Sequence, residues 1–235
     1  MNASLTASRD PMRKFMRRTL VALVFLGVIL FGAAGTLNWP QAWVYLAFTA
    51  AMSFAGGFWL GRHDPDLLNE RLGALIQREQ KTWDKFFMVA MLALWTGWLI
   101  LIGLDAGRYR WSQIPLALQG AGFVLLCLGS YLVWLTLKAN SFAAPVVKIQ
   151  KERGHLVVTT GPYAYVRHPM YAGALLFIAG APLLLGSWWG LAAGAGLVLV
   201  IAMRAVLEER TLMAELAGYA DYAARVRYRL VPHLW

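Results

Sequence analysis

The chain has 235 residues, 59% of them hydrophobic and 14% charged, with a net charge of +10 and a mean hydropathy of +0.53. Soluble domains run nearer to about half apolar and about a quarter charged, and here the apolar residues come in long runs without a polar face, which excludes a soluble globular domain and points to an integral membrane protein. The single cysteine, Cys127, excludes an internal disulfide and a cysteine metal cluster, no other metal cluster is expected, and the positive charge reads as a topology signal with affinity for anionic headgroups rather than as nucleic-acid binding.

Six apolar runs are candidate spans: residues 19–37, 43–60, 86–104, 114–137, 171–185 and 188–207. A span needs about 20 residues, with about 17 tolerated, so the fifth run is short unless it begins earlier. Pro182 near its end is expected to kink or stop it. The first run follows the basic stretch "MRKFMRR" but is longer than a signal-peptide core and lacks a clear cleavage site, so it is expected to be retained. Four segments carry five Lys or Arg each: the N-terminus (Arg9, Arg13, Lys14, Arg17, Arg18), the 61–85 loop (Arg62, Arg71, Arg78, Lys81, Lys85), residues 138–169 (Lys138, Lys148, Lys151, Arg153, Arg167) and the C-terminal side (Arg204, Arg210, Arg225, Arg227, Arg229). Only Arg108 and Arg110 fall elsewhere. The positive-inside rule then places both termini and the two long loops in the cytoplasm. The expected fold is all-α, a polytopic membrane protein of about six transmembrane helices in one domain, with an N-terminal three-helix part (1–113) and a core over 114–235.

Between the second and third runs lies "RHDPDLLNERLG". Asp64 and Pro65 read as an N-cap and first helical position, Gly73 as a stop. Leu67, Leu68 and Leu72 share one side, so a short helix lying on the membrane surface is expected.

Residues 161–173, "GPYAYVRHPMYAG", raise the functional question. Gly161–Pro162 predicts a turn. Pro169 lacks a donor N–H and suits the first turn of a helix, which puts His168 at the cap. That N-terminus, with its free backbone N–H groups, attracts anions. Tyr163, Arg167, His168 and Tyr171 surround it; an interfacial belt of Tyr and Arg is the plainer alternative. At the end of the sixth run, "RAVLEER" puts Arg204 and Glu208 on one helix face, followed by Glu209. Ionisable groups near membrane depth are expensive and mark function more often than structure; a simple i,i+4 salt bridge is the alternative. The fifth and sixth runs are joined by two residues, so both polar tracts meet at one end of a hairpin. An aromatic, basic and acidic pocket at the lipid boundary suits a cytosolic ligand acting on a lipid-like partner.

"RGHLVVTTGPYAYVRHPMYAG", followed by "EE", "GYADY" and a terminal "RLVP", resembles the isoprenylcysteine carboxyl methyltransferase family and the related phospholipid N-methyltransferases over about residues 114–235. "DPDLLNERLG…WDK" is similar to bacterial members, which implies a bacterial inner-membrane location. The resemblance implies S-adenosylmethionine as methyl donor, bound at the cytoplasmic side of a helical membrane fold. By position it implies cofactor contacts at Gln150, His155, Leu156, Val157, Val158, Tyr163, Arg167, His168, Pro169, Met170, Tyr171 and Glu208. Arg204 would face the methyl acceptor, a lipid or hydrophobic small molecule, and Glu209 would assist if that acceptor were an amine. Gly120–Ala121–Gly122 resembles a cofactor-linked triplet of the phospholipid enzymes, but helix packing is the preferred reading. "GLAAGAGLVLV" at 190–200 imitates a dinucleotide fingerprint, yet it lacks the preceding strand that motif needs. O-methylation of a carboxylate is favoured; phospholipid amine N-methylation, an NADPH-dependent sterol-type reductase and a non-catalytic membrane protein are the alternatives.

Overall fold

The computed structural model describes residues 3–77 and 79–235, and side chains from Pro11 onward. Arg78 and the side chain of Arg9, both counted toward the topology, lie outside the described residues. The described chain is all-helical: α1 (Ala3–Ala34), α2 (Pro40–His63), α3 (Pro65–Arg71), α4 (Thr82–Ile102), α5 (Leu116–Ala139), α6 (Pro169–Leu185), α7 (Trp188–Glu215) and α8 (Tyr219–Arg225). Helix α4 runs on into a π-helical segment, Gly103–Tyr109, and short 3₁₀ turns occupy Lys151–Arg153 and Gly161–Ala164.

Five helices are long and apolar enough to cross a membrane: Pro11–Ala34, Pro40–His63, Thr82–Tyr109, Leu116–Ala139 and Trp188–Glu215. The sixth expected span, α6, has 17 residues, or about 25 Å at 1.5 Å per residue. It lies antiparallel against α5, its most extensive neighbour. Side chains are absent where the two touch: a Cβ on Gly180 would meet Gly122 O at 2.7 Å, and one on Gly129 would meet Gly173 O at 3.0 Å. Such small-residue seams let helix backbones approach closely where lipid offers no hydrophobic drive. Gly122 serves this packing, whereas Gly120 meets nothing within 4 Å.

Local signals place the helix ends. Asp64 caps α3, its carboxylate accepting from Leu67 N at 2.9 Å, and Pro65 opens it. Helix α6 begins at Pro169 with His168 as its cap residue; Pro182 lies inside its last turn and Gly186, at φ 92°, ends it. Ser187 then caps α7, accepting from Gly190 N at 2.8 Å. The "GLAAGAG" stretch lies inside α7.

One expectation changes. Leu67, Leu68 and Leu72 are buried against Phe15, Leu60, Leu137 and Ala143, so α3 turns its apolar side into the helix bundle, not toward lipid. That brings α3 over the ends of α1 and α5.

The polar segments gather at one end of the bundle. Arg18 donates to the carbonyls of Leu72 and Gly73. Lys148 pairs with Glu70 at 2.7 Å, Lys81 with Glu215 at 2.6 Å, and Arg71 donates to Ala143 O at 2.9 Å. At the opposite end Arg108 donates to Gly32 O at 3.1 Å. There the fully buried Asp105 accepts from Ser112 Oγ at 2.7 Å and Ser187 Oγ at 2.6 Å, tying the π-helical segment to the start of α7.

Candidate active site

At the polar end, a cavity of about 420 Å³ opens between α6, α7, α8 and the 140–168 segment. The α6–α7 hairpin supplies one wall. Tyr171, in the first turn of α6, donates its phenol O–H to a Glu208 carboxylate oxygen on α7. His168 stacks on Tyr171, ring centroids 5.5 Å apart at 13°. Pro169 has no N–H, and the Met170 and Tyr171 N–H groups that follow it have no helical carbonyl four residues back to pair with.

An aromatic wall faces that carboxylate. Tyr163 lines the cavity and its hydroxyl accepts from Asn140 Nδ2 at 2.8 Å. Tyr222, on α8, donates to Tyr163 O at 2.8 Å. Burial holds the Tyr163 phenol above its ordinary value, partly countered by the Asn140 hydrogen bond, and lifts Tyr222 to about 12. Both stay neutral donors or acceptors at physiological pH. Tyr219 also lines the cavity, and its buried hydroxyl has no hydrogen-bond partner among the described residues. Gly218, at φ 80°, breaks α7 from α8 and turns these tyrosines inward.

His155, Leu156, Val157 and Val158 line the cavity from an extended segment. His155 stacks on Phe142 with centroids 4.6 Å apart. Its imidazole is pulled below the ordinary value by burial and then by Arg153, with Glu152 acting the other way, so it is neutral near pH 7.

Two expected contacts fall elsewhere. Gln150 is fully buried but does not line the cavity: its Nε2 donates to Phe142 O at 2.8 Å and its Oε1 accepts from Arg153. It fixes the backbone of the 140–155 loop. Glu209 is also buried and turned away from the cavity. It lies 2.8 Å from Arg167 Nε, 3.3 Å from His168 Nε2 and 2.8 Å from Arg229 Nε. The Arg167 contact is an ion pair without hydrogen-bond alignment. Around it the C-terminal strap pairs with the 165–168 segment, Arg167 N donating to Tyr228 O and His168 N to Arg229 O, each at 2.9 Å. Glu209 thus locks the strap under the start of α6.

Arg204 lines the cavity but is heavily engaged. Its Nη2 lies 3.0 Å from Asp84 Oδ1 on α4 and donates to Pro145 O at 2.8 Å. Its guanidinium also sits over the rings of Phe87 at 5.2 Å and Tyr171 at 5.7 Å. Asp84 is fully buried and accepts from Gln80 Nε2 at 2.9 Å and Val147 N at 2.8 Å. Sequence reasoning missed Asp84, although a carboxylate in the first turn of an apolar helix was a usable signal. It also missed Arg71, Met88, Met91 and Trp95, which bring the N-terminal part of the chain into the cavity wall.

A second cavity, about 1120 Å³, lies among α1, α2, α4 and α5 and is mostly apolar, lined by residues such as Leu26, Phe48, Leu99, Trp134 and Phe177, with Arg18 and Arg71 at its polar end. Arg71 and Trp95 line both cavities.

Residues 118–220 match the family model described as phospholipid methyltransferase. A curated relative, the Protein-S-isoprenylcysteine O-methyltransferase of Schizosaccharomyces pombe, is 30% identical over 150 residues, 57% of this chain and 64% of the relative. The chain therefore spans just under two thirds of that relative's length. A solved eukaryotic intramembrane Ras methyltransferase, an isoprenylcysteine carboxyl methyltransferase, overlays 97% of this chain and 98% of its own at a TM-score of 0.47 and 20% identity. The chain is similar to these membrane methyltransferases, as its motifs implied.

Proposed function

We propose that this relative of the membrane methyltransferases carries a methyl group from S-adenosylmethionine to the carboxylate of a lipid-borne or hydrophobic small acceptor. The observation that carries the reading is the Tyr171–Glu208 pair beside the α6 N-terminus, in a cavity of about 420 Å³. That volume falls in the range of about 300–1,000 Å³ common for small-ligand sites. Tyr219 lines the same cavity with a hydroxyl that has no partner among the described residues.

The donor set suits S-adenosylmethionine. Glu208 offers a carboxylate to a positive group or a ribose hydroxyl. The N–H groups at the start of α6 suit a carboxylate. Tyr163, Tyr222 and the 155–158 segment offer an aromatic and apolar wall for an adenine. When bound, S-adenosylmethionine supplies a methyl on a sulfonium, which leaves as a neutral thioether once a carboxylate oxygen has taken the methyl. The protein's task is then to orient the two reactants and exclude water, and positioning supplies most of the rate.

A carboxylate acceptor needs no general base, whereas an ammonium acceptor must first lose its proton. Glu209 was the expected base for that case. Its oxygens are taken up by Arg167, His168 and Arg229, and it does not line the cavity. This favours O-methylation over phospholipid amine N-methylation. The relatives are methyltransferases by name, which lends nothing to an NADPH reductase. The S. pombe relative's name speaks of isoprenylcysteine; a carboxylate on a long apolar chain is the corresponding acceptor chemistry here. The basic end is read as the cytoplasmic face, of a bacterial inner membrane on the "DPDLLNERLG" pattern.

The test is equilibrium binding to the purified protein in detergent. Wild type should bind S-adenosylmethionine, and Glu208→Gln should weaken it by about tenfold or more, the scale of a lost hydrogen bond to a charged group. Labelled methyl should then pass to a prenylcysteine analogue or to an acidic component of a lipid extract. Binding of NADPH with indifference to S-adenosylmethionine would overturn the reading.

A further inference from the structure

Arg71 closes α3 and lines both the polar cavity and the large apolar one. Its Nη1 donates to Ala143 O at 2.9 Å and lies 3.9 Å from Met170 Sδ in the first turn of α6. Among the described residues no carboxylate pairs with it. Among the cations that line the two cavities it shares this state with Arg18, which donates to the carbonyls of Leu72 and Gly73, whereas the others and nearby lysines are met by carboxylates. Arg204 has Asp84, Arg167 and Arg229 share Glu209, Lys148 has Glu70 and Lys81 has Glu215.

A guanidinium among methionine, tryptophan and leucine side chains is costly unless an anion joins it. Burial already pulls its pKa below the ordinary value, with Tyr163 opposing. Its planar fork matches a carboxylate in two-point geometry, which a lysine does not reproduce. Arg204 was the expected acceptor cation, but its charge is already met by Asp84.

We infer that Arg71 is the residue that holds the acceptor's carboxylate, with the acceptor's apolar chain lying in the large cavity beside Leu68, Leu72, Trp95 and Leu137. This rests on the methyl-transfer reading above. Placed on Arg71, a carboxylate sits beside Met170 and hence at the edge of the cavity assigned to the methyl donor, while the second cavity takes the tail. The acceptor class is an acid with a long, flexible apolar chain. Arg71 is a substrate-positioning residue, and it determines specificity for acids over neutral or cationic head groups.

The experiment measures binding of N-acetyl-S-farnesylcysteine and of its methyl ester to the purified protein without S-adenosylmethionine. Wild type should prefer the acid to the ester by about tenfold or more. Arg71→Gln should bind both about equally, with ester binding unchanged, and Arg71→Lys should recover part of the preference. A thermal midpoint in detergent like that of wild type reports that Arg71→Gln is folded. Turnover should show the loss in KM for the acid. The inference is overturned if wild type does not distinguish acid from ester, or if either Arg71 variant keeps the full preference. Failure of wild type to bind S-adenosylmethionine would sink the methyl-transfer reading instead, and the acid–ester comparison still decides Arg71.

Discussion

Asp84 and Arg204 meet across the α4–α7 interface, Oδ1 to Nη2 at 3.0 Å, with the carboxylate fully buried. The pair links the first turn of one membrane helix to the polar end of another. Asp84 also accepts from Gln80 and from Val147 N, so it anchors the 140–150 loop that roofs the cavity. Breaking a buried pair leaves an uncompensated charge, at a cost of about 3–5 kcal/mol. Asp84→Asn should therefore lower stability by about that amount, read as a fall in the denaturation midpoint in detergent. An unchanged midpoint would show that Arg204 finds another anion or water.

Glu209 is expected to act on the C-terminal strap rather than on chemistry. Glu209→Gln removes the anion shared by Arg167, His168 and Arg229, again a loss of about 3 kcal/mol or more. The strap should then detach locally before the bundle unfolds. Limited trypsin digestion should cut faster at Arg225 and Arg227 than in wild type. Equal cutting rates would mean the backbone pairs at Tyr228 and Arg229 hold the strap alone.

Gly120 and Gly122 offer a paired test of the α5–α6 seam. A Cβ on Gly122 would lie 2.6 Å from Leu184 N, while one on Gly120 meets nothing. Gly122→Ala should destabilise by about 1–3 kcal/mol through overpacking. Gly120→Ala should be neutral or stabilise by up to about 1 kcal/mol, since glycine is a poor helix former. Thermal unfolding of the two variants side by side checks the order; the reverse order would refute the packing assignment.

His155 gives a pH dependence with a definite sign. Its folded-state pKa lies below the ordinary 6.5, from burial and Arg153. The unfolded chain therefore takes up the proton first on acidification. The contribution of neutral His155 is complete above about pH 6.5 and is lost as pH falls toward the folded value. Thermal midpoints in detergent should drop as pH falls below about 6.5, and His155→Gln should flatten that slope. A slope identical to wild type would assign the acid sensitivity to other groups.

Much of the site's frame was legible because its signals are local. Proline at the first helical position, with His168 before it, marks the start of α6 from chemistry within a few residues. The same holds for Asp64 and Pro65 at α3. The two-residue connection at Gly186–Ser187 forces α6 and α7 side by side, which is why Tyr171 and Glu208 could be placed together. Gln150 and Glu209 show where local reading fails. Both are polar residues in the right stretch, yet side-chain direction sets Gln150 against Phe142 O and Glu209 against the strap.

The chain's own order of residues settles its apolar, all-helical character and the starts of α3 and α6, because hydropathy and proline geometry act over short stretches. Only the tertiary structure decides which cation is neutralised and which is left for a ligand. Arg71 and Ala143 are 72 positions apart, and Asp84 reaches Arg204 across the bundle. Pairing of that kind depends on how α3 and α4 pack, and a charge's availability depends on its neighbours in space, not in sequence.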